Sequence, residues 1–152
     1  AAWETAFAEY EALVPGYAQF RGTLGTGPAA LAACLAFDTK ADRLGDRVGT
    51  YAFLKASEDV ANGTYQGMKA RYIGAAGRAA EFASYIRPEV LALPDDVLQG
   101  YLAAPELAAY RLVLQRLMRY KPHTLSEGEE RLLAMQIEVA QTPRTVFDQL
   151  NN

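Results

Sequence analysis

The sequence predicts an all-α fold, and three observations carry that prediction. Strong helix formers, Ala above all with Leu, Glu and Arg behind it, make up much of the chain, while β-branched residues are sparse. No stretch alternates apolar and polar residues for the length of a strand; apolar residues recur instead at steps of three and four. Proline and glycine fall where such runs should start and stop. With 152 residues, 51% hydrophobic and 22% charged, the chain has the balance of one domain that buries a core, not of a disordered segment.

Trp3, Phe7, Tyr10 and Val14 form the stripe of a first helix, which Pro15-Gly16 should end. The run from Gly22 to Gly27 has the composition of a phosphate loop. A dinucleotide loop follows a strand, however, and here helices flank both sides, with no Gly-Lys-Ser/Thr ending. It is therefore read as a flexible inter-helix loop. Gly27-Pro28 opens the next helix, with Pro28 at the first helical position, where its missing N–H costs nothing.

Ala41, Leu44, Val48 and Tyr51, with Leu54 nearby, make a second stripe, and Tyr65, Met68, Tyr72, Ala76, Ala79, Ala83 and Ile86 a third. Asn62-Gly63 between them is a turn dipeptide. Residues 39–87 are thus expected to form a long antiparallel helical hairpin. Its second arm of about 24 residues would reach roughly 36 Å. Ala76, Ala79 and Ala83 would let the arms approach closely. Asn62-Gly63-Thr64 is also a glycosylation sequon, but with no secretion signal visible the turn reading stands.

Arg87-Pro88 should stop the long arm, and Pro94 and Pro105 punctuate two shorter helices. Leu107, Tyr110, Leu114 and Leu117, flanked by Val113 and Met118, form a stripe that ends before Lys121-Pro122. Ser126 and Glu129 form a capping box for a helix running through Leu132, Leu133, Ile137 and Ala140. Thr142-Pro143 starts another. The hairpin is expected to pack on this C-terminal helical group within a single domain, 1–152.

The chemistry is thin. The single cysteine, Cys34, excludes an internal disulfide and lies in an apolar run, where it reads as a small buried hydrophobe. The single histidine, His123, excludes a His-Glu-x-x-His zinc helix and any His- or Cys-rich metal site. A catalytic triad would have to use His123, which sits in a connector before a capped helix with nothing nearby that marks a nucleophile. The carboxylate pairs Asp95-Asp96 and Glu129-Glu130 offset helix dipoles, and Glu58-Asp59 is solvated at the hairpin tip. No catalytic, cofactor-binding or metal residue is therefore expected in this chain. Of the nine tyrosines, Tyr10, Tyr51, Tyr65, Tyr72 and Tyr110 lie on apolar stripes and are expected in the core or at an interface, with the hydroxyl near a rim. Tyr17, Tyr85, Tyr101 and Tyr120 are expected to offer an exposed contact surface. The net charge of −3 and the scattered basic residues, densest at Arg111, Arg116, Arg119 and Lys121, argue against nucleic acid as a partner. No apolar run is long enough to span a bilayer, and no targeting segment is visible, so a cytoplasmic location is expected.

The stretch Tyr120-Lys121-Pro122-His123-Thr124-Leu125-Ser126-Glu127-Gly128-Glu129-Glu130 resembles the N-terminal region of oligoendopeptidase F, of the thimet-oligopeptidase-like zinc metallopeptidases. Three further segments are similar in the right order: Arg47-Val48-Gly49-Thr50-Tyr51-Ala52, Arg87-Pro88-Glu89-Val90-Leu91-Ala92-Leu93, and Thr142-Pro143 with Val146, Phe147 and Leu150. The resemblance implies a fragment of a longer chain whose zinc helix lies beyond Asn152. It implies no zinc in this fragment but zinc in the parent. The partners it implies are the catalytic domain of the same chain and oligopeptide substrates, with a homodimer conceivable through surface left uncovered. The lobe itself would wall a cleft that admits only short peptides. Two other readings remain open on the residues alone: a self-contained helical interaction module presenting a groove, and, more weakly, a small enzyme centred on His123.

Overall fold

The computed structural model describes residues 2–123, the side chain of His123 excepted. The chain divides into two compact units, Ala1–Met118 and Arg119–Asn152. The capping box at Ser126 and the start signal at Thr142 lie outside the described residues. Among the described residues every regular element is a helix, so the fold is all-α.

Helix α1, Ala2–Leu13, buries Phe7 and Tyr10 as its stripe predicts. The α-helix ends just before Pro15-Gly16, as expected, but the chain keeps turning. It tightens into a 3₁₀ segment, Val14–Phe20, with Pro15 in its opening turn, where a missing N–H leaves no broken bond. That segment carries Tyr17 inward to 2% exposure.

Helix α2 runs unbroken over Pro28–Glu58, 31 residues, and so begins earlier than the hairpin arm expected from 39. Its buried positions Leu31, Cys34, Ala41, Leu44, Val48, Ala52 and Ala56 keep helical spacing throughout. Helix α3, Gly63–Ala83, is the second arm. The Asn62 side chain caps it by accepting from the Thr64 and Tyr65 amides at 3.0 and 3.2 Å. The arms are antiparallel, because partners rise along α3 as they fall along α2: Gln66 reaches the Ala56 carbonyl, Tyr72 packs on Phe53, and Tyr85, just past α3, meets Cys34.

The second arm is shorter than expected. It ends at Ala83, where the Ser84 hydroxyl and amide both turn back to the Glu81 carbonyl and compete with the helical ladder. Pro88 does not stop this arm; it sits in the first turn of the next helix, α4, Ile86–Leu91, where no intrahelical bond is lost. Helix α5, Asp95–Ala103, has Asp95 and Asp96 in its first turn, as its dipole favours. A 3₁₀ segment, Pro105–Tyr110, leads into α6, Arg111–Tyr120.

Two cores result, and α2 contributes to both. Phe7, Tyr10, Val14, Leu44, Val48 and Ala75 form one. Leu24, Leu31, Cys34, Val90, Leu98, Tyr101, Leu107 and Leu114 form the other. The glycine-rich loop expected to be flexible is instead tied into the second core. Leu24 is fully buried, and the Glu89 carboxylate accepts the Gly22 and Leu24 amides at 2.9 and 2.8 Å. Gly22 adopts φ 77°, a left-handed conformation that favours glycine and aims its amide at Glu89.

Candidate functional site

Two of the concave surfaces beside the hairpin bring aromatic and charged side chains together. The first opens at the start of α1. The Trp3 ring stacks on Phe7 at 4.8 Å, and its indole N–H donates to the Val48 carbonyl at 2.9 Å. The Arg71 guanidinium lies over both rings, 5.2 and 4.5 Å from their centroids. It also donates to both oxygens of Glu4, each at 2.9 Å, and so holds that carboxyl below the usual range. Beside this cluster lies an open groove of about 650 Å³ with Trp3, Ala6, Val48, Tyr51 and Met68 in its lining and Arg47 at its edge.

The second surface is a crevice of about 210 Å³ between the arms. Asp38, Asp42 and Asp46 recur every fourth residue on α2 and therefore share one face. They meet Tyr10, Tyr17 and Tyr72 over the small side chains Ala76, Ala79 and Ala83. The alanines expected to bring the arms together thus line this crevice; the close approach of the arms is at Gly49 of α2 against Tyr72 of α3, while Gly45 lies against Tyr10 of α1. The Tyr17 hydroxyl donates to Asp38 at 2.7 Å. Burial first, then that bond to Asp38, pushes the Tyr17 phenol above its ordinary range, so it stays a proton donor. Desolvation, then the charges of Asp38 and Asp46, raises Asp42.

A raised folded-state pKa means that the folded chain holds this proton more tightly than the unfolded one. The charged Asp42 therefore costs stability above its raised pKa, and the cost fades as pH falls through it. Asp42→Asn should stabilise the protein at pH 7 by about 0.5 kcal/mol, the scale of relieving like charges four residues apart on a helix. The gain should shrink as pH falls through the raised pKa and vanish at about pH 2.5, below the ordinary value of 3.8, where both states hold the proton. Urea titrations at both pH values check this, and an equal gain at both would count against it.

The tyrosines divide differently from the sequence reading. Tyr101 is buried and donates to the Leu24 carbonyl at 3.3 Å; half-buried Tyr85 donates to the Tyr17 carbonyl at 2.7 Å. With Tyr17 they are structural, and of the four expected at the surface only Tyr120 is exposed. Tyr51, expected in the core or at an interface, is not in the core: it is 47% exposed at the groove. Tyr17 and Tyr85 owe their burial to a 3₁₀ segment and an inter-helix turn that bring them inward, whereas Tyr101 lies on the buried face of α5 beside Leu98.

Cys34 is fully buried, and burial raises its thiol pKa, so it is the inert hydrophobe expected. Glu58 pairs with Lys55, and the Asp59 carboxylate accepts the Ala61 amide. Arg111 donates to the Leu102 carbonyl at 2.9 Å. Among the described residues no group of three or more His, Cys, Asp or Glu side chains is placed to hold a metal ion, and no helix is long and apolar enough to cross a membrane. Glu89 was missed as a functional group. Its only signal was its place after Pro88 in one of the family-like segments.

The family model described as Oligopeptidase F matches residues 89–152. Oligopeptidase PepF of Bacillus subtilis (strain 168) is 33% identical over 153 residues, which cover 99% of this chain and 23% of that protein. The chain thus matches an N-terminal region of oligopeptidase F proteins. Group B oligopeptidase PepB of Streptococcus agalactiae is 28% identical, over 99% of this chain and 25% of that protein. The crystal structure of oligoendopeptidase-F from Enterococcus faecium superposes with a TM-score of 0.77 at 28% identity, over 99% of this chain and 30% of that one. A putative peptidase from Chlamydophila abortus, at 23% identity and a TM-score of 0.80 over 98% of this chain, shows the same fold. The chain thus spans about a quarter of the length of the curated relatives it matches along nearly its whole extent. Of the family-like segments, Arg47–Ala52 falls on α2 beside the groove, and the Pro88-Glu89 step falls on α4, where Glu89 ties down the loop.

Proposed function

We propose that this chain is the non-catalytic N-terminal lobe of an oligoendopeptidase-F-like metallopeptidase that hydrolyses oligopeptides in the cytoplasm. The lobe would contribute a wall of the substrate cleft and so restrict the enzyme to short peptides. The observation that carries this reading is the 33% identity to oligopeptidase PepF over 99% of the chain and only 23% of the relative. In the longer protein a zinc ion would supply an activated water. The described residues bring no set of donors together for it, so no step through the metal is assigned to this chain.

Reading the frame past Asn152 is the first test: a few hundred codons without His-Glu-x-x-His overturn the proposal. The full-length protein should cut short peptides, lose that activity on dialysis against a chelator and regain it with Zn²⁺. Equal rates on a short peptide and on a long unfolded polypeptide containing the same bond would rule out size selection.

A further inference from the structure

The tip of the hairpin carries chemistry of its own. The chain has three asparagines, and of these Asn62 alone precedes a glycine. The carboxamide carbon of an asparagine can close a five-membered ring with the backbone nitrogen of the next residue, and glycine leaves that nitrogen unhindered. This makes asparagine a thermolabile residue. The tip gives the pair room. Val60 is 75% exposed, Gly63 is exposed, and a Cβ added at Gly63 would meet nothing within 4 Å. Gly63 is also the first residue of α3, so its N–H has no acceptor within the helix. No residue from 57 to 67 is part of either core. The folded cap nonetheless holds the ring open in two ways. The Asn62 side-chain oxygen is pinned by the Thr64 and Tyr65 amides. With ψ at 103°, the Gly63 nitrogen is turned away from the side of the Asn62 Cα that bears the side chain. Ring closure therefore waits for the first turn of α3 to open. That turn is fastened from outside by Gln66, whose Nε2 donates to the Ala56 and Val60 carbonyls at 3.3 and 3.1 Å. Opening of so small and exposed a turn lies at the low end of local unfolding energies.

We propose that Asn62-Gly63 is a self-modification site, which deamidates without an enzyme from the opened state of the α3 cap. Hydroxide takes the Gly63 amide proton, and the nitrogen attacks Asn62 Cγ. The N–Cγ bond forms, the Cγ–Nδ2 bond breaks, and ammonia leaves. Water then adds to one of the two carbonyl carbons of the cyclic imide and cleaves its bond to the ring nitrogen. Cleavage on one side gives aspartate at position 62. Cleavage on the other gives isoaspartate, in which the main chain runs through the former side-chain carbons. The two products leave the hairpin in different states. Aspartate keeps an oxygen for the Thr64 and Tyr65 amides and adds a negative charge that the α3 dipole favours. Isoaspartate lengthens the backbone by one carbon and shifts the cap oxygen out of register, so the tip stays unfastened.

The experiment ages the full-length protein at mildly alkaline pH beside a free peptide spanning residues 58–68, and follows Asn62 in both by mass spectrometry. Asn62 should convert in the protein about tenfold more slowly than in the peptide, the factor set by opening a capped turn. Gln66→Ala should speed conversion in the protein by about fivefold, the weight of a lost hydrogen bond, and leave the peptide rate unchanged. Gly63→Ala has open space for its methyl and no left-handed backbone, so it should fold normally and slow conversion sharply in both. Once the aged protein is separated by charge and retention, the aspartate form should melt with Asn62→Asp, and the isoaspartate form several degrees lower. The proposal is overturned if Asn62 stays intact in the protein while the peptide converts fully. Equal rates in protein and peptide, or no response to Gln66→Ala, overturn the gating by the cap. An isoaspartate form that melts with the unmodified protein overturns the unfastened tip.

Discussion

Leu24→Ala is expected to cost about 3 kcal/mol, even though the residue lies in a loop. Leu24 has no exposed surface and packs in the core that also holds Leu31, Val90, Leu98 and Leu107. Truncation removes its transfer free energy and leaves a cavity. The cavity can collapse little, because the loop on either side is held: the Gly22 and Leu24 amides donate to Glu89, and the Leu24 carbonyl accepts from Tyr101. A loop free to move would close the gap and lose far less. In urea the midpoint should fall while the slope stays constant, since the surface exposed on unfolding barely changes. Leu112→Ala, at 54% exposure on α6, is the control and should stay within about 0.5 kcal/mol. Equal losses at the two positions would show that the loop is not part of the core.

Gly49→Ala is expected to destabilise the protein by about 2 kcal/mol, the scale of overpacking a filled core. The sign is informative, because helix propensity alone favours alanine over glycine by about 1 kcal/mol. A Cβ at Gly49 would fall on the ring atoms of Tyr72, inside van der Waals contact. That ring cannot swing away freely, since Tyr10 lies against it at 6.3 Å and Phe53 meets it edge-on at 6.0 Å. At Gly77, in the interior of α3, the same methyl meets nothing within 4 Å, so Gly77→Ala should gain up to about 1 kcal/mol. Thermal melts of the two variants should move in opposite directions. If Gly49→Ala also stabilises, the arms are not held together at that point.

The sequence made the helices readable because helix periodicity is a local property. The Phe7–Tyr10–Val14 stripe, the turn at Asn62 and the helix end at Tyr120 all stand where spacing and capping chemistry put them. What it did not disclose depended on partners distant in sequence. The Gly22–Gly27 loop looked mobile because nothing near it in the chain reveals that Glu89, 65 residues beyond Leu24, accepts its amides. Tyr17 looked exposed because its burial depends on a 3₁₀ segment that carries the chain past Pro15-Gly16. The open groove was hidden for the same reason. Arg47 stood out only as part of a family-like segment and Tyr51 only there and on an apolar stripe, and the furrow beside them exists only once α1 lies across the hairpin.

Helix α2 supplies Leu31 and Cys34 to one core and Leu44 and Val48 to the other. A strut shared in this way makes the two clusters thermodynamic hostages to each other. Neither can melt without unwinding part of the element that supports its neighbour, so the unit from 1 to 118 should open as one cooperative block in native-state hydrogen exchange. A lobe built like this yields as a whole or not at all, and a load applied at one end of α2 is felt at the other.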